Sequence, residues 1–123
     1  MIDFQNGSII KLSKTDPAAA KDVLPLFVQG EELIGVYKAI RDYVVFTNKR
    51  VISVNVQGIT GKKKDFTTMP YSKVQAFSIE TAGVLDLDSE LDLFFSGLGM
   101  VRFDFSGASD IVTIGRLISE AIL

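Results

Sequence analysis

The chain contains neither cysteine nor histidine in its 123 residues. The lack of cysteine removes disulfides, thiolate metal ligands and thiol nucleophiles together, and it suits a reducing cytoplasm. The lack of histidine removes the commonest general base and the commonest metal ligand. No run approaches the ~20 apolar residues of a membrane span. Met1-Ile2-Asp3-Phe4 is not the basic stretch followed by an apolar one that opens a secretory leader. An excess of basic residues is also missing. Lys and Arg number 13 against 15 Asp and Glu, for a net charge of −2. A nucleic-acid domain is usually basic, so this class is excluded and the expected location is cytoplasmic.

What is present reads as one globular domain. The apolar share is 47%, and a chain of this length buries enough surface to need no staples. Residues 1–14 read as an N-terminal arm, in which Ile9, Ile10 and Leu12 form a short strand or a docked segment after a turn at Asn6-Gly7. Residues 15–123 read as the domain. A helix is expected at 16–28, capped by Asp16 with Pro17 in its first position, with Ala19, Val23, Leu26 and Phe27 on its apolar stripe. From Leu33 the period changes to two, and strands are expected at 33–40, 43–46, 50–56, 64–69 and 74–80. Val51, Ser53 and Asn55 face one way and Ile52, Val54 and Val56 the other. The apolar parity of 74–80 flips, which predicts a bulge. A strict alternation of Leu85, Leu87, Leu91 and Leu93 with Asp86, Asp88, Glu90 and Asp92 predicts a sixth strand. Val101, Phe103 and Phe105, alternating with Arg102 and Asp104, predict a seventh. Ser109 or Asp110 caps a last helix with Ile111, Ile114, Ile118, Ala121 and Ile122 on one stripe. The expected fold is mainly β: a seven-stranded bent barrel or sandwich, its open end plugged by the C-terminal helix.

Asp86-Leu87-Asp88-Ser89-Glu90 has the opening spacing of a calcium loop, but the required glycine and closing glutamate fall on Leu91 and Gly97. Asp86, Asp88, Glu90 and Asp92 therefore form an acidic strand face, one that a basic partner surface would relieve. Lys62, Lys63 and Lys64 follow a turn containing Gly58 and Gly61, and Lys49 lies at the far end of the preceding strand. These four lysines are candidate anion contacts, although no P-loop spacing accompanies them. Arg50, where a turn enters a strand, suits a structural clamp on loop carbonyls or on a carboxylate such as Asp42. Pro70 ends a strand. No catalytic residue, metal ligand or cofactor site is expected, because the carboxylates lie on an open face and not in an apolar pocket that would separate their pKa values.

Ile40 to Val51, with Thr47-Asn48-Lys49-Arg50 within it, resembles a signature of bacterial pleckstrin-homology-like domains. Gln57-Gly58-Ile59-Thr60-Gly61-Lys62-Lys63, Pro70-Tyr71-Ser72-Lys73-Val74, Ser78 to Gly83 and Asp86 to Leu91 continue the resemblance in the same order, from about Asp16 to the C-terminus. The resemblance implies a bent antiparallel barrel with a helix across one end. It implies a ring-shaped homo-oligomer of cyclic symmetry, a pentamer for single-domain members, and a protein-binding surface of polar strand residues. It implies no enzymatic activity. Eukaryotic relatives of the fold often bind phosphoinositides through the first hairpin, where this chain offers Arg41 beside Asp42. Two readings follow: a self-assembling module that binds other proteins, with Lys62–Lys64 of one copy meeting Asp86–Asp92 of the next, or a peripheral binder of anionic lipid or phosphate through Lys49 and Lys62–Lys64.

Overall fold

The computed structural model describes residues 1–6, 8–107 and 110–123, the side chains of 8–10 excepted. Its strands are β1 (Ser8–Lys14), β2 (Leu33–Lys38), β3 (Tyr43–Thr47), β4 (Arg50–Gln57), β5 (Lys63–Pro70), β6 (Val74–Glu80), β7 (Ser89–Phe95) and β8 (Gly99–Phe105), followed by α1 (Ile111–Ile122). They form one eight-stranded sheet in the order β5-β4-β3-β2-β1-β8-β7-β6. The expected seven strands are thus eight. The additional one, β1, lies parallel to β8, with Ser8 opposite Val101 and Leu12 opposite Phe105. A parallel partner so distant in sequence leaves no hairpin signal to read.

The sheet curls around a core. Met69 and Val74, from the two edge strands, share one buried cluster with Leu12, Phe46, Phe103 and Phe105. No β5–β6 pairing closes the seam. The β8 alternation holds, with Val101, Phe103 and Phe105 all at 0% exposure. In α1, Ile111, Ile114, Gly115 and Ile118 are buried, and Asp110 caps the helix by accepting from Thr113 N–H. Ala121 is exposed and Ile122 half-buried. The alternative cap, Ser109, lies outside the described residues. A methyl group on Gly115 would meet Ile79 and Phe77, so the missing side chain sets the close seat of the helix on β6.

A second cluster lies on the outer face. Val36, Tyr43, Val45, Ile52 and Val54 pack with Ala20 and Val23. These two alanine and valine side chains come from a 3-10 helix at Pro17–Leu26, where Asp16 accepts from Ala18 N–H. The expected α-helical stripe is corrected here. A 3-10 helix repeats every three residues, which aligns Ala20 with Val23 and turns Ala19 outward, while Leu26, in line with them at the last position of the helix, is exposed. The cover also explains why every residue of β3 is buried. The split of β4 holds, Val51 lying in the inner cluster and Ile52 and Val54 in the outer one.

Two further expectations meet the structure. The bulge in β6 is present, as a register shift between Val74 and Ala76. The sixth strand is shorter than its alternation suggests. β6 ends at Glu80 opposite Glu90, so residues 81–88 have no strand to pair with. Leu85 and Leu87 are therefore 99% and 62% exposed. The excursion is a turn in which Gly83 N–H donates to Asp86 O (2.6 Å) and Asp88 N–H to Asp86 Oδ1 (3.0 Å).

Candidate functional site

The basic residues separate on inspection. Lys49 precedes Arg50, which lies opposite Pro70, whereas Lys63 lies opposite Gln57 at the other end of β4. At about 3.3 Å per residue, this spreads the four lysines along roughly 26 Å. Lys64 is engaged, its Nζ 2.6 Å from Asp22 Oδ2, which ties the 3-10 helix to β5. That hydrogen bond holds the Asp22 carboxyl below its usual range. Lys62 and Lys63 are exposed and make no ion pair among the described residues. Arg41 is also engaged: its Nη2 donates to Gly58 O, joining the β2–β3 turn to the β4–β5 turn. Gly58 and Gly61 supply positive φ, +77° and +69°.

Thr47-Asn48-Lys49-Arg50 forms a clamp. Thr47 Oγ1 accepts from the N–H groups of Lys49 and Arg50, both at 3.0 Å, and donates to Glu31 Oε2 at 2.7 Å. Asn48 Oδ1 accepts from Glu32 N–H at 2.8 Å and its Nδ2 donates to Gly30 O at 2.9 Å. The carboxylate that Arg50 grips is Glu31, not Asp42: Nε lies 2.8 Å from Oε2 and Nη2 lies 2.9 Å from Oε1. Arg50 Nη2 also reaches Leu26 O at 2.7 Å. Asp42 instead accepts from Val56 N–H at 2.7 Å. Burial alone would push the Glu31 carboxyl up, but hydrogen bonds from Arg50, Thr47 and Val28 N–H together hold it below its usual range. Pro70 closes β5, and Tyr71 beyond it is buried with its hydroxyl donating to Thr47 O at 2.7 Å.

The acidic residues converge on the other half of the sheet, in a different grouping from the expected one. Asp92 is 9% exposed and held by Arg102, with Nε–Oδ1 at 2.8 Å and Nη2–Oδ2 at 3.0 Å. Glu90 lies 3.8 Å from the same guanidinium. Glu90 faces Glu80 across β6–β7 and Asp104 across β7–β8, and Asp104 faces Lys11 of β1. A row of like charge thus crosses three strands. Sequence reasoning missed Glu80 and Asp104, because only register brings them beside Glu90. Burial pushes the Glu90 carboxyl up, Arg102 pulls it back, and Asp104, Glu80 and Asp92 push it up again, for a net rise. Asp104 Oδ1 is buried without a hydrogen-bond partner among the described residues. With Asp86 and Asp88 from the excursion and Lys11 from β1, this row bounds a notch of about 160 Å³. No group of three or more carboxylates among the described residues is arranged to hold a metal ion. No helix among them is long and apolar enough to cross a membrane.

A curled sheet with one amphipathic helix packed on its inner core is the architecture of a pleckstrin-homology-like domain. A family model described as bacterial PH domain matches residues 3–122, and the chain belongs to that family. It is 44% identical over 123 residues to the uncharacterized protein YjqA of Bacillus subtilis (strain 168), covering 98% of each chain. It is 30% identical over 101 residues to the uncharacterized protein YozO of the same organism, covering 82% of this chain and 87% of that one. Among solved structures, a DUF1696 family protein with a pleckstrin-homology domain from Shewanella loihica PV-4 is similar, with TM-score 0.74, 34% identity and coverage of 93% of this chain and 99% of that one. A pleckstrin homology domain from Shewanella amazonensis SB2B gives TM-score 0.62 and 37% identity, covering 90% and 91%.

Proposed function

We propose that the chain is a non-catalytic cytoplasmic interaction module. It assembles with copies of itself into a ring of cyclic symmetry, a pentamer, and binds other proteins through the polar strand surface of β6, β7 and β8. The observation that carries this reading is the row Glu80, Glu90, Asp104. Like charges directly opposite on neighbouring strands oppose folding, and here two successive pairs do so. Arg102 and Lys11 offset part of that charge, and a cationic partner surface would offset the rest.

Light scattering at micromolar concentration tests the assembly, with a mass several times that of one chain expected and a monomer overturning it. Capture of a partner from the native host tests the surface: a partner retained equally by Glu80→Lys/Glu90→Lys and by the unaltered chain removes this face from the reading. The lipid reading gains little from the geometry, since Lys64 is paired with Asp22 and Lys49 lies at the other end of β4. Tight, salt-sensitive sedimentation with phosphatidylserine vesicles would restore it.

A further inference from the structure

Residues 1–6 cross the seam that the strands leave open. β5 and β6 do not pair, and this segment joins the two halves of the sheet there. Ile2 N–H donates to Thr67 Oγ1 of β5 at 3.2 Å. Phe4 O accepts from Met100 N–H of β8 at 3.1 Å. Ile2 and Phe4 are buried in the inner cluster, with the Phe4 ring edge-on to Phe95 at 5.5 Å. Asp3, Gln5 and Asn6 are exposed.

We propose that this segment is a displaceable strap over a peptide-binding groove. The groove takes from a partner protein an extended stretch of the strap's own chemistry: an aliphatic side chain, a polar one, then an aromatic. Recognition of an extended segment uses main-chain hydrogen bonds for affinity and pockets for alternate side chains for specificity. The seated strap uses both, through Met100 N–H and through the two sites that Ile2 and Phe4 fill. Gly99 lets one backbone pass close to the other: a methyl group there would run into Phe4 O, and close backbone approach is a use of glycine within strands.

The strap leaves room on both sides. A cleft of about 670 Å³ lies between Ile2, Asp3 and the β2–β3 turn. Another, of about 600 Å³, lies between Phe4, Gln75, Phe94 and Met100, where Phe94 is 40% exposed. A longer extended segment would reach into both. The strap can also leave without unravelling the sheet, because the β1–β8 ladder begins only at Ser8 opposite Val101. Such a segment belongs to the low-stability end of a fold, which opens locally. This site is separate from the acidic row and does not depend on self-assembly.

A peptide added in trans tests the groove. Ile2→Asp/Phe4→Asp is expected to release the strap from the full chain, with far-UV circular dichroism verifying that the sheet stays folded. A fluorescein-labelled Met-Ile-Asp-Phe-Gln-Asn peptide is expected to bind this variant. It should bind the unaltered chain at least about tenfold more weakly, because a site occupied by the strap is a site rarely open. Met-Ala-Asp-Ala-Gln-Asn is expected to bind neither, and adding Gly99→Ala to the variant should abolish binding. Hydrogen exchange of the unaltered chain is the second measurement. Met100 N–H is expected to exchange at least about tenfold faster than the amides of β3 and β4. A folded variant that takes no peptide overturns the groove. Exchange of Met100 N–H only together with β3 and β4, through global unfolding, overturns the strap whether or not the variant folds. Equal binding of the alanine peptide overturns the stated chemistry. In a mixture of isotope-labelled and unlabelled chains, strap cross-links running between copies would make a second copy the occupant and overturn the partner.

Discussion

Arg50 lies in a stretch that reads as functional and does structural work. Its guanidinium meets a Glu31 side chain that is fully buried, while its own is 15% exposed. Removing one partner of a buried pair strands the other charge, so Arg50→Met is expected to cost about 3 kcal/mol in urea unfolding at neutral pH. Arg50→Lys should recover little of it, because one ammonium cannot reproduce the fork. The pH dependence has a definite sign. The Glu31 carboxyl is held below its usual range in the folded state, so its contribution is complete above the unfolded value, about 4.3. It fades as pH falls through the folded value. Unfolding curves of the unaltered chain and Arg50→Met should therefore draw together below about pH 4. A gap of constant size down to pH 2 would exclude this account. That Arg50 clamps was legible from its position at a turn. That it clamps Glu31 was not, because the partner arrives from the segment after the 3-10 helix and only the folded chain brings it near.

At the scale of the element, the β7 row is the place where the fold and the proposed use pull apart. Glu90 stands between Glu80 and Asp104, with a carboxyl pushed up first by burial and then by those neighbours, against Arg102. Glu90→Gln is expected to raise the melting temperature at neutral pH and low salt. The gain should shrink as pH falls into the carboxylate range, where Glu90 takes up a proton in the unaltered chain, and as salt screens the row. A lower melting temperature at neutral pH would mean that the Arg102 contact outweighs the repulsion. Elements whose pattern is written in one face were legible: the parity of β4, the alternation of β8 and the stripe of α1 as far as Ile118 reappear. Leu85 and Leu87 continue the alternation of β7 by composition alone, and pairing, which composition does not contain, stops at Glu90. The 3-10 period of Pro17–Leu26 was hidden for a similar reason, since Ala20 and Val23 fit either helix until the outer face of the sheet selects them.

The whole molecule belongs to its family by its fold, a curled sheet with one C-terminal helix. One feature of the architecture bears on how such a molecule comes into being. β1 lies between β2 and β8, and its parallel partner is the last strand of the chain. Ser8 must find Val101 before the sheet is continuous. Pairings of such long reach delay folding far more than they weaken the folded state, and all-β domains built from them fold in milliseconds to seconds. On a ribosome, then, Ser13 and Lys14 can pair with β2 early, but the other edge of β1 waits for nearly the whole chain. Until β8 emerges, that edge is open to any other strand that reaches it first.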